Sequence, residues 1–465
     1  MTADLTTALD HGYRRRLAAL SFAMLLPSLG TSIANVALPT LAAAFAAPFQ
    51  DVQWVVISYL LAVTSLIVGA GRLGDMLGRR RLLLIGIGIF TLASVACVLA
   101  PSLWLLVAAR GVQGLGAAIM MALTIASVGD MVPKDRTGRA MGLLGTVSAV
   151  GTALGPSLGG ALIAWFGWHA VFVVMAGAGA AAFLVGRRVF PADAPTARQP
   201  FTFDMAGMLL LAASLCAYAL STTLGGGAFD ATNVVLAGLS LIGLVAFVTV
   251  EARVTGPLVQ LHLLRDTALT AGLVSLALVS TIVMATLVVG PFYLSEALHL
   301  SAVNVGLVMS IGPVVAALTG VPAGRLVDRF GAFVITVTGL ISVAAGSGLM
   351  TFLPAWLGVL GYASSLGLVT AGYALFQAAN STAIMNGARQ DRRGVTSALL
   401  GLSRNLGLIT GASAMGALFA FGSKGVGMLG LGAGGESGLQ LTFAVAAALS
   451  VLACAISVWG TRRDH

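Results

Sequence analysis

Charge is what this chain has least of. Of its 465 residues only 9% are Asp, Glu, Lys or Arg, against about 25% in a soluble domain. So few charges cannot cover a water-facing surface, which excludes an ordinary soluble enzyme. Scant charge joined to high hydrophobicity also excludes a disordered chain. Cysteine is nearly absent. Cys97, Cys216 and Cys454 are dispersed inside apolar runs, and three such thiols build neither a disulfide framework nor a metal site. Five histidines show no ligand spacing and no HExxH, so no metal and no cofactor is expected. A GxxxxGK[ST] phosphate loop is also missing, so the chain has no ATP engine of its own. Acids are outnumbered, 16 to 25, leaving a net charge of +9. Such an excess can mark a nucleic-acid binder; its placement decides otherwise.

What remains is apolar: 58% hydrophobic residues with a mean hydropathy of +0.99. The solvent is lipid. A helix needs ~20 apolar residues to cross ~30 Å of hydrocarbon. Cutting the chain at charges, Pro and Gly clusters gives spans at 17–43, 52–73, 82–100, 103–128, 137–163, 168–187, 204–224, 231–253, 268–297, 301–326, 332–353, 355–384, 394–422 and 438–461. The expected fold class is an all-α membrane protein with 14 transmembrane helices. The first span follows Arg14–Arg16 and precedes an Ala44-Phe45-Ala46 triplet, yet it exceeds a signal peptide's 7–15-residue apolar region, so it reads as an uncleaved helix.

The basic residues then sort by side. Arg14–Arg16, Arg79–Arg81, Lys134, Arg136, Arg139, Arg187, Arg188, Arg198, Arg253, Arg265, Arg325, Arg329, Arg389, Arg392, Arg393, Arg462 and Arg463 all fall on one side of fourteen alternating spans. The other side receives Lys424. By the positive-inside rule both termini are cytoplasmic. A multi-pass protein of a bacterial inner membrane is expected. The basic excess is topological, and no nucleic acid is expected as a partner.

Two echoes indicate a duplication. Gly71-Arg72-Leu73-Gly74-Asp75-Met76-Leu77-Gly78 returns 253 positions later as Gly324-Arg325-Leu326-Val327-Asp328-Arg329-Phe330-Gly331. Asp135-Arg136-Thr137-Gly138 returns 256 positions later as Asp391-Arg392-Arg393-Gly394. Both copies sit on the same side, so the repeat is parallel with six helices per unit. That division gives an N-terminal half (1–190), a two-helix central insert with its linkers (191–265) and a C-terminal half (266–465). Parallel six-helix repeats around a cavity describe the major facilitator fold.

The run Gly71 to Arg80 resembles the signature loop between helices 2 and 3 of the major facilitator superfamily. Gly71 and Gly78 suit a tight turn and a close helix approach. The resemblance implies a charge network of Asp75, Arg79 and Asp130 that locks the halves, with Arg72 and the recurring Asp328 beside it. Arg110-Gly111-Val112-Gln113-Gly114-Leu115-Gly116-Ala117 resembles the family's RxxQGxGxA motif. Arg110 lies a third of the way into its span, where a charge costs ~2.5–3.5 kcal/mol or more. A wet cavity or a partner is expected there, or an Arg snorkelling to the interface. In the family this Arg supports proton transfer.

Gly151, Gly155 and Gly159 recur every four residues, a face that lets backbones touch, and Pro156 adds a kink. With Gly160 they complete a match to the GPxxGG motif typical of family exporters. Gly407 and Gly411 form a faint copy 256 positions on. Leu29 to Pro39 resembles the span-1 motif of the fourteen-helix drug:proton antiporter subfamily, with one departure. Gly30 stands where that subfamily usually has an Asp, a common candidate for proton coupling. Among the sixteen acids, none sits clearly at mid-membrane, and Glu296 is the best remaining titratable candidate. Arg404 lies two or three turns into span 13 and, like Arg110, is expected to reach the cavity. Asn35, Gln113, Tyr293, Tyr373, Gln377, Asn380 and Asn405 are further candidates for a polar cavity lining.

The resemblance implies a secondary exporter of drug-like or amphiphilic small molecules, driven by proton antiport with alternating access and acting as a monomer in the bilayer. A neutral-to-positive cavity suggests neutral or anionic substrates. The alternatives are a metabolite importer or symporter on the same fold, or an exporter of a specific anionic or neutral natural product without a span-1 carboxylate. A membrane-embedded enzyme is not expected, since no catalytic pair lies in the spans.

Overall fold

The computed structural model describes residues 2–131, 137–191, 204–224, 230–254, 261–387, 393–424 and 434–462, and among them every regular element is a helix. The elements are α1 (Thr2–Ala44), α2 (Trp54–Leu77), α3 (Arg79–Val98), α4 (Leu103–Met131), α5 (Thr137–Phe166), α6 (His169–Val189), α7 (Met205–Thr223), α8 (Ala231–Glu251), α9 (Thr267–Phe292), α10 (Ala302–Met309 continued by Ile311–Phe330), α11 (Ala332–Leu357), α12 (Val359–Gly387), α13 (Arg393–Thr410 continued to Gly416–Ser423) and α14 (Gly435–Arg462). A one-turn helix, Phe49–Val52, precedes α2. Among the described residues thirteen stretches are long and apolar enough to cross a bilayer, and Val150–Phe166 in α5 adds a shorter apolar one.

Spans tested by apolar length alone hide several irregularities. A break at Ser310 divides α10, and π-helical turns occupy Tyr293–Ala297 and Gly411–Met415. Extra residues inserted into a helix in this way re-aim the turns on either side. Pro354, expected to divide two spans, lies inside α11, and the turn comes at Gly358 with φ 54°. Proline forgoes only the bond its own nitrogen would make to the preceding turn, its carbonyl still accepts from Gly358 N at 2.9 Å, and the positive φ falls to the glycine.

The duplication is visible in the packing. α5 packs on α1 as α13 packs on α9, and α4 on α2 as α12 on α10. Likewise α3 packs on α4 and α6 as α11 does on α12 and α14. Glycines make the matching approaches. A Cβ on Gly116 would sit 2.6 Å from Phe90 N, and one on Gly339 would sit 2.6 Å from Phe376 N. Both copies of the repeated loop end on a left-handed glycine, Gly78 with φ 91° and Gly331 with φ 83°.

The pair α7–α8 stands to one side. α7 touches α2 and the π turn of α13, with a bond of 3.2 Å from Trp54 Nε1 to Thr223 Oγ1. α8 is the least buried span.

The two ends of the bundle differ. Arg80 donates to the last-turn carbonyl of Arg187 at 3.0 Å, and Arg265, Phe333, Gly387 and Gly460 line one cavity. These turns mark the arginine-rich end. Phe45, Phe49, Trp168 and Phe292 mark the other, arginine-poor end.

Candidate functional site

Arg110 is completely buried. Its Nε donates to Val55 O on α2 at 2.9 Å, one Nη to Gly30 O on α1 at 3.0 Å, and the other to Gln113 Oε1 one turn along α4. The guanidinium carbon lies 4.2 Å from the Tyr59 ring centroid, a cation–π contact. Gln113 Nε2 passes the network to Ser94 Oγ on α3 at 2.7 Å, and Tyr59 donates to Pro27 O at 2.8 Å. One arginine therefore ties four helices together. Each nitrogen has an oxygen acceptor, so the charge is solvated by carbonyls and an aromatic face in place of water or a carboxylate.

Of the expected surroundings, a wet cavity, a partner or a snorkelling position, the structure gives Arg110 partners and no water-facing exposure. The three acceptors come from backbone turns of α1 and α2 and a residue three positions along α4, which sequence spacing could not bring together. Gln113 is likewise fully buried and committed to Arg110. Gly30 faces the same place: a Cβ there would meet Tyr59 Oη and Met175 Cε at 3.0 Å. The departure from the subfamily motif and the buried arginine are thus one feature.

The Gly151 face packs as a contact surface. A Cβ on Gly151 would lie 2.8 Å from Leu25 O, and Cβ atoms on Gly155 and Gly159 would meet Ser32 and Ile33 of α1. The copy does the same in the other half, Gly407 against Ala277 O and Gly411 against Thr281 O of α9. Pro156 lies inside α5, buried. Gly160 turns away from α1 toward Gly306 of α10, whose Cα would be 2.7 Å from its Cβ. That contact joins the first six helices to the last six. Two more join them at the same, arginine-poor end. Phe49 meets the rings of Phe292 at 4.4 Å, edge on, and Phe419 at 5.4 Å. Gln53, 1% exposed, lies against Gly416 with both amide atoms lacking a hydrogen-bond partner.

The remaining expected residues scatter. Arg79 donates to Ala126 O on α4 at 2.9 Å; the side chains of Arg72, Asp75 and Asp130 lie outside the described residues. Gly71 has open space, and the close approach belongs to Gly74, which packs on Leu123. Asp328 is exposed at the arginine-rich end, and Glu296 is exposed at the arginine-poor one, so neither reaches the interior. Asn35 is fully buried, bonded to Thr31 O at 3.3 Å. Tyr293, 2% exposed, stacks on Tyr362 at 6.0 Å. Tyr373 and Gln377 are half-buried on α12, and Arg404 is half-buried on α13. Asn380 donates to Gly272 O at 3.1 Å and lines a cavity of about 730 Å³ at the arginine-rich end, with Arg265, Asp266, Thr336 and Thr396. Sequence reasoning missed this cavity, together with Tyr59, Ser94 and Gln53. No cluster of metal-ligating side chains occurs among the described residues.

The model of the Major Facilitator Superfamily matches residues 20–412. The multidrug resistance protein Stp of Mycobacterium tuberculosis is 32% identical over 408 residues, 87% of this chain and 75% of that protein. The riboflavin transporter RibZ of Clostridioides difficile is 29% identical over 414 residues, 87% of this chain and 88% of that protein. Among solved structures, a bacterial homolog of the human lysosomal transporter Spinster, inward-facing and unoccupied, superimposes with a TM-score of 0.70 at 15% identity, covering 97% of each chain.

Proposed function

The chain belongs to the Major Facilitator Superfamily, and on that premise we propose that it is a secondary active exporter of drug-like amphiphiles that works by alternating access. It is a multi-pass membrane transporter, not an enzyme. The observation that carries the reading is the seal at the arginine-poor end, made by Gly160 on Gly306, Phe49 on Phe292 and Phe419, and Gln53 on Gly416. Each of these contacts crosses between residues 1–190 and 266–465, as a gate between two moving halves would. With the arginine-rich end cytoplasmic, this conformation is closed outward in a bacterial inner membrane. Relatives named for multidrug resistance and the GPxxGG packing face support export. Proton motive force is the assigned driver, and its coupling group differs from the subfamily's because Gly30 carries no acid.

A screen of cells with the gene deleted or overexpressed, against diverse antibiotics and dyes, tests this. Overexpression raises resistance to some of them, and an uncoupler abolishes the gain. Substrate accumulation that rises on expression would replace the reading with metabolite uptake, for which a relative named as a riboflavin transporter is the supporting observation.

A further inference from the structure

Arg404 contrasts with Arg110 at every point. It stands five residues into the apolar stretch Leu399–Ser423, about 8 Å inside its arginine-rich end at 1.5 Å per residue. It is half-buried, and its buried Nε has no hydrogen-bond partner. Two further polar atoms lack partners, one on the next residue along the helix and one packed against Gly407, three residues on. Asn405, 6% exposed, leaves Nδ2 unused. Ser280 of α9, fully buried, leaves Oγ unused, and its Cβ would meet a Cβ on Gly407 at 2.7 Å. Buried donors without acceptors are costly in hydrocarbon and call for an explanation. Gly401, one turn back along the helix, faces open space. Acids with described side chains stand at or beside helix ends: Asp51, Asp204, Asp230, Glu251, Asp266, Glu296, Asp328 and Glu436. None of them is at the depth of Arg404.

We propose that Arg404 is the headgroup site of the substrate path and takes an organic monoanion, a carboxylate or sulfonate on an apolar body. This rests on the exporter reading and names its substrate class. A guanidinium stays charged at every working pH, and Nε–H with one Nη–H forms a planar edge that fits two anionic oxygens at once. Asn405 Nδ2–H and Ser280 Oγ–H supply further donors for the same group. A lipophilic cation entering there meets a fixed positive charge with no acid among the described side chains at that depth to offset it.

The test uses the purified full chain in detergent and three probes with one apolar body: 2-naphthoate, its methyl ester and 2-naphthyltrimethylammonium. Naphthalene fluorescence reads binding. Wild type binds the carboxylate about tenfold tighter than the ester, the scale of one or two charge-assisted bonds, and binds the ammonium least. Arg404→Gln removes the preference while the ester's affinity stays within about twofold, and Arg404→Lys, a point charge without the fork, keeps part of it. Equal binding of carboxylate and ester by wild type would overturn the proposal, and this comparison needs no variant. Preference for the ammonium, or equal loss of all three probes in Arg404→Gln, would also overturn it. Proteoliposomes under a proton gradient separate the two claims. A carboxylate preference without export sinks the exporter reading alone. Export with no headgroup preference sinks the Arg404 site alone.

Discussion

Gly160→Ala adds one methyl at the seam between the halves. Its Cβ would lie 2.7 Å from Gly306 Cα, closer than carbon atoms approach, and the obstacle is backbone that no rotamer change can move. The strain exists only while the arginine-poor end is closed, because opening separates α5 from α10. Overpacking of this kind costs about 1–3 kcal/mol. Placed on one of two conformations, that shifts their ratio by about 5- to 150-fold toward the state open at the arginine-poor end. The reporter is Gln53→Cys in a background where Cys97, Cys216 and Cys454 are replaced. Residue 53 is 1% exposed within the seal itself, so a membrane-impermeant maleimide added from outside reaches it only through opening. Labelling accelerates with Gly160→Ala and equally with Gly306→Ala, whose Cβ would lie 2.8 Å from Gly160 Cα. Gly320→Ala, with nothing within 4 Å, leaves it unchanged. An unchanged or slower rate in both seam variants would refute the assignment of this contact as a gate.

Arg110→Gln removes the donor shared by Val55 O, Gly30 O and Gln113 Oε1. The two backbone carbonyls keep their helical bonds, so the buried Gln113 oxygen is the acceptor left unpaired, at about 1–3 kcal/mol; the melting point of the purified chain drops, and one within a degree of wild type would contradict the network. Gly155→Ala drives a methyl against Ser32 Oγ and to 2.8 Å from the backbone nitrogen of Ile33 and destabilises the chain by about 1–3 kcal/mol, whereas Gly401→Ala, in open space on a helix, is neutral or gains up to about 1 kcal/mol; the same thermal assay reads both. Gly30→Asp places a carboxyl beside Tyr59 Oη and near Arg110, with the flexible Met175 Cε giving way; efflux of a quaternary ammonium dye appears on expression, and no change would count against Gly30 as the place of the missing acid.

Much of this architecture was legible because lipid leaves few options. Backbone groups must bond within their own segment, so apolar runs became helices, and arginine placement phased them. The glycine faces were legible for the same reason: Gly151 and Gly155 recur at helical spacing, and they do meet α1. What spacing could not convey is direction across a crossing. Gly71 and Gly74 look alike in the motif, but only Gly74 meets a neighbour, because helix rotation decides which one faces Leu123. The burial of Arg110 was hidden more deeply. A charge in the membrane argues for water or a carboxylate, yet backbone carbonyls from two other helices serve equally well, and no sequence pattern marks a carbonyl that points at a neighbour.

The duplication turns that difference into an argument about function. In the C-terminal half, 256 positions after Arg110, stands Leu366, 2% exposed. In the N-terminal half, 256 positions before Arg404, stands Ser148, whose hydroxyl meets Ser28 Oγ at 2.7 Å. Each half thus carries its arginine where the other has a neutral, satisfied residue. Arg110 is held by four helices that stay together within one half, so its environment is unaltered when the halves move. Arg404 is half-buried and its Nε has no hydrogen-bond partner. A fixed, fully bonded charge suits a structural pin, and a half-bonded charge suits recognition. On the proposed reading, these two arginines divide the work between them: Arg110 pins the N-terminal half, and Arg404 discriminates among substrates.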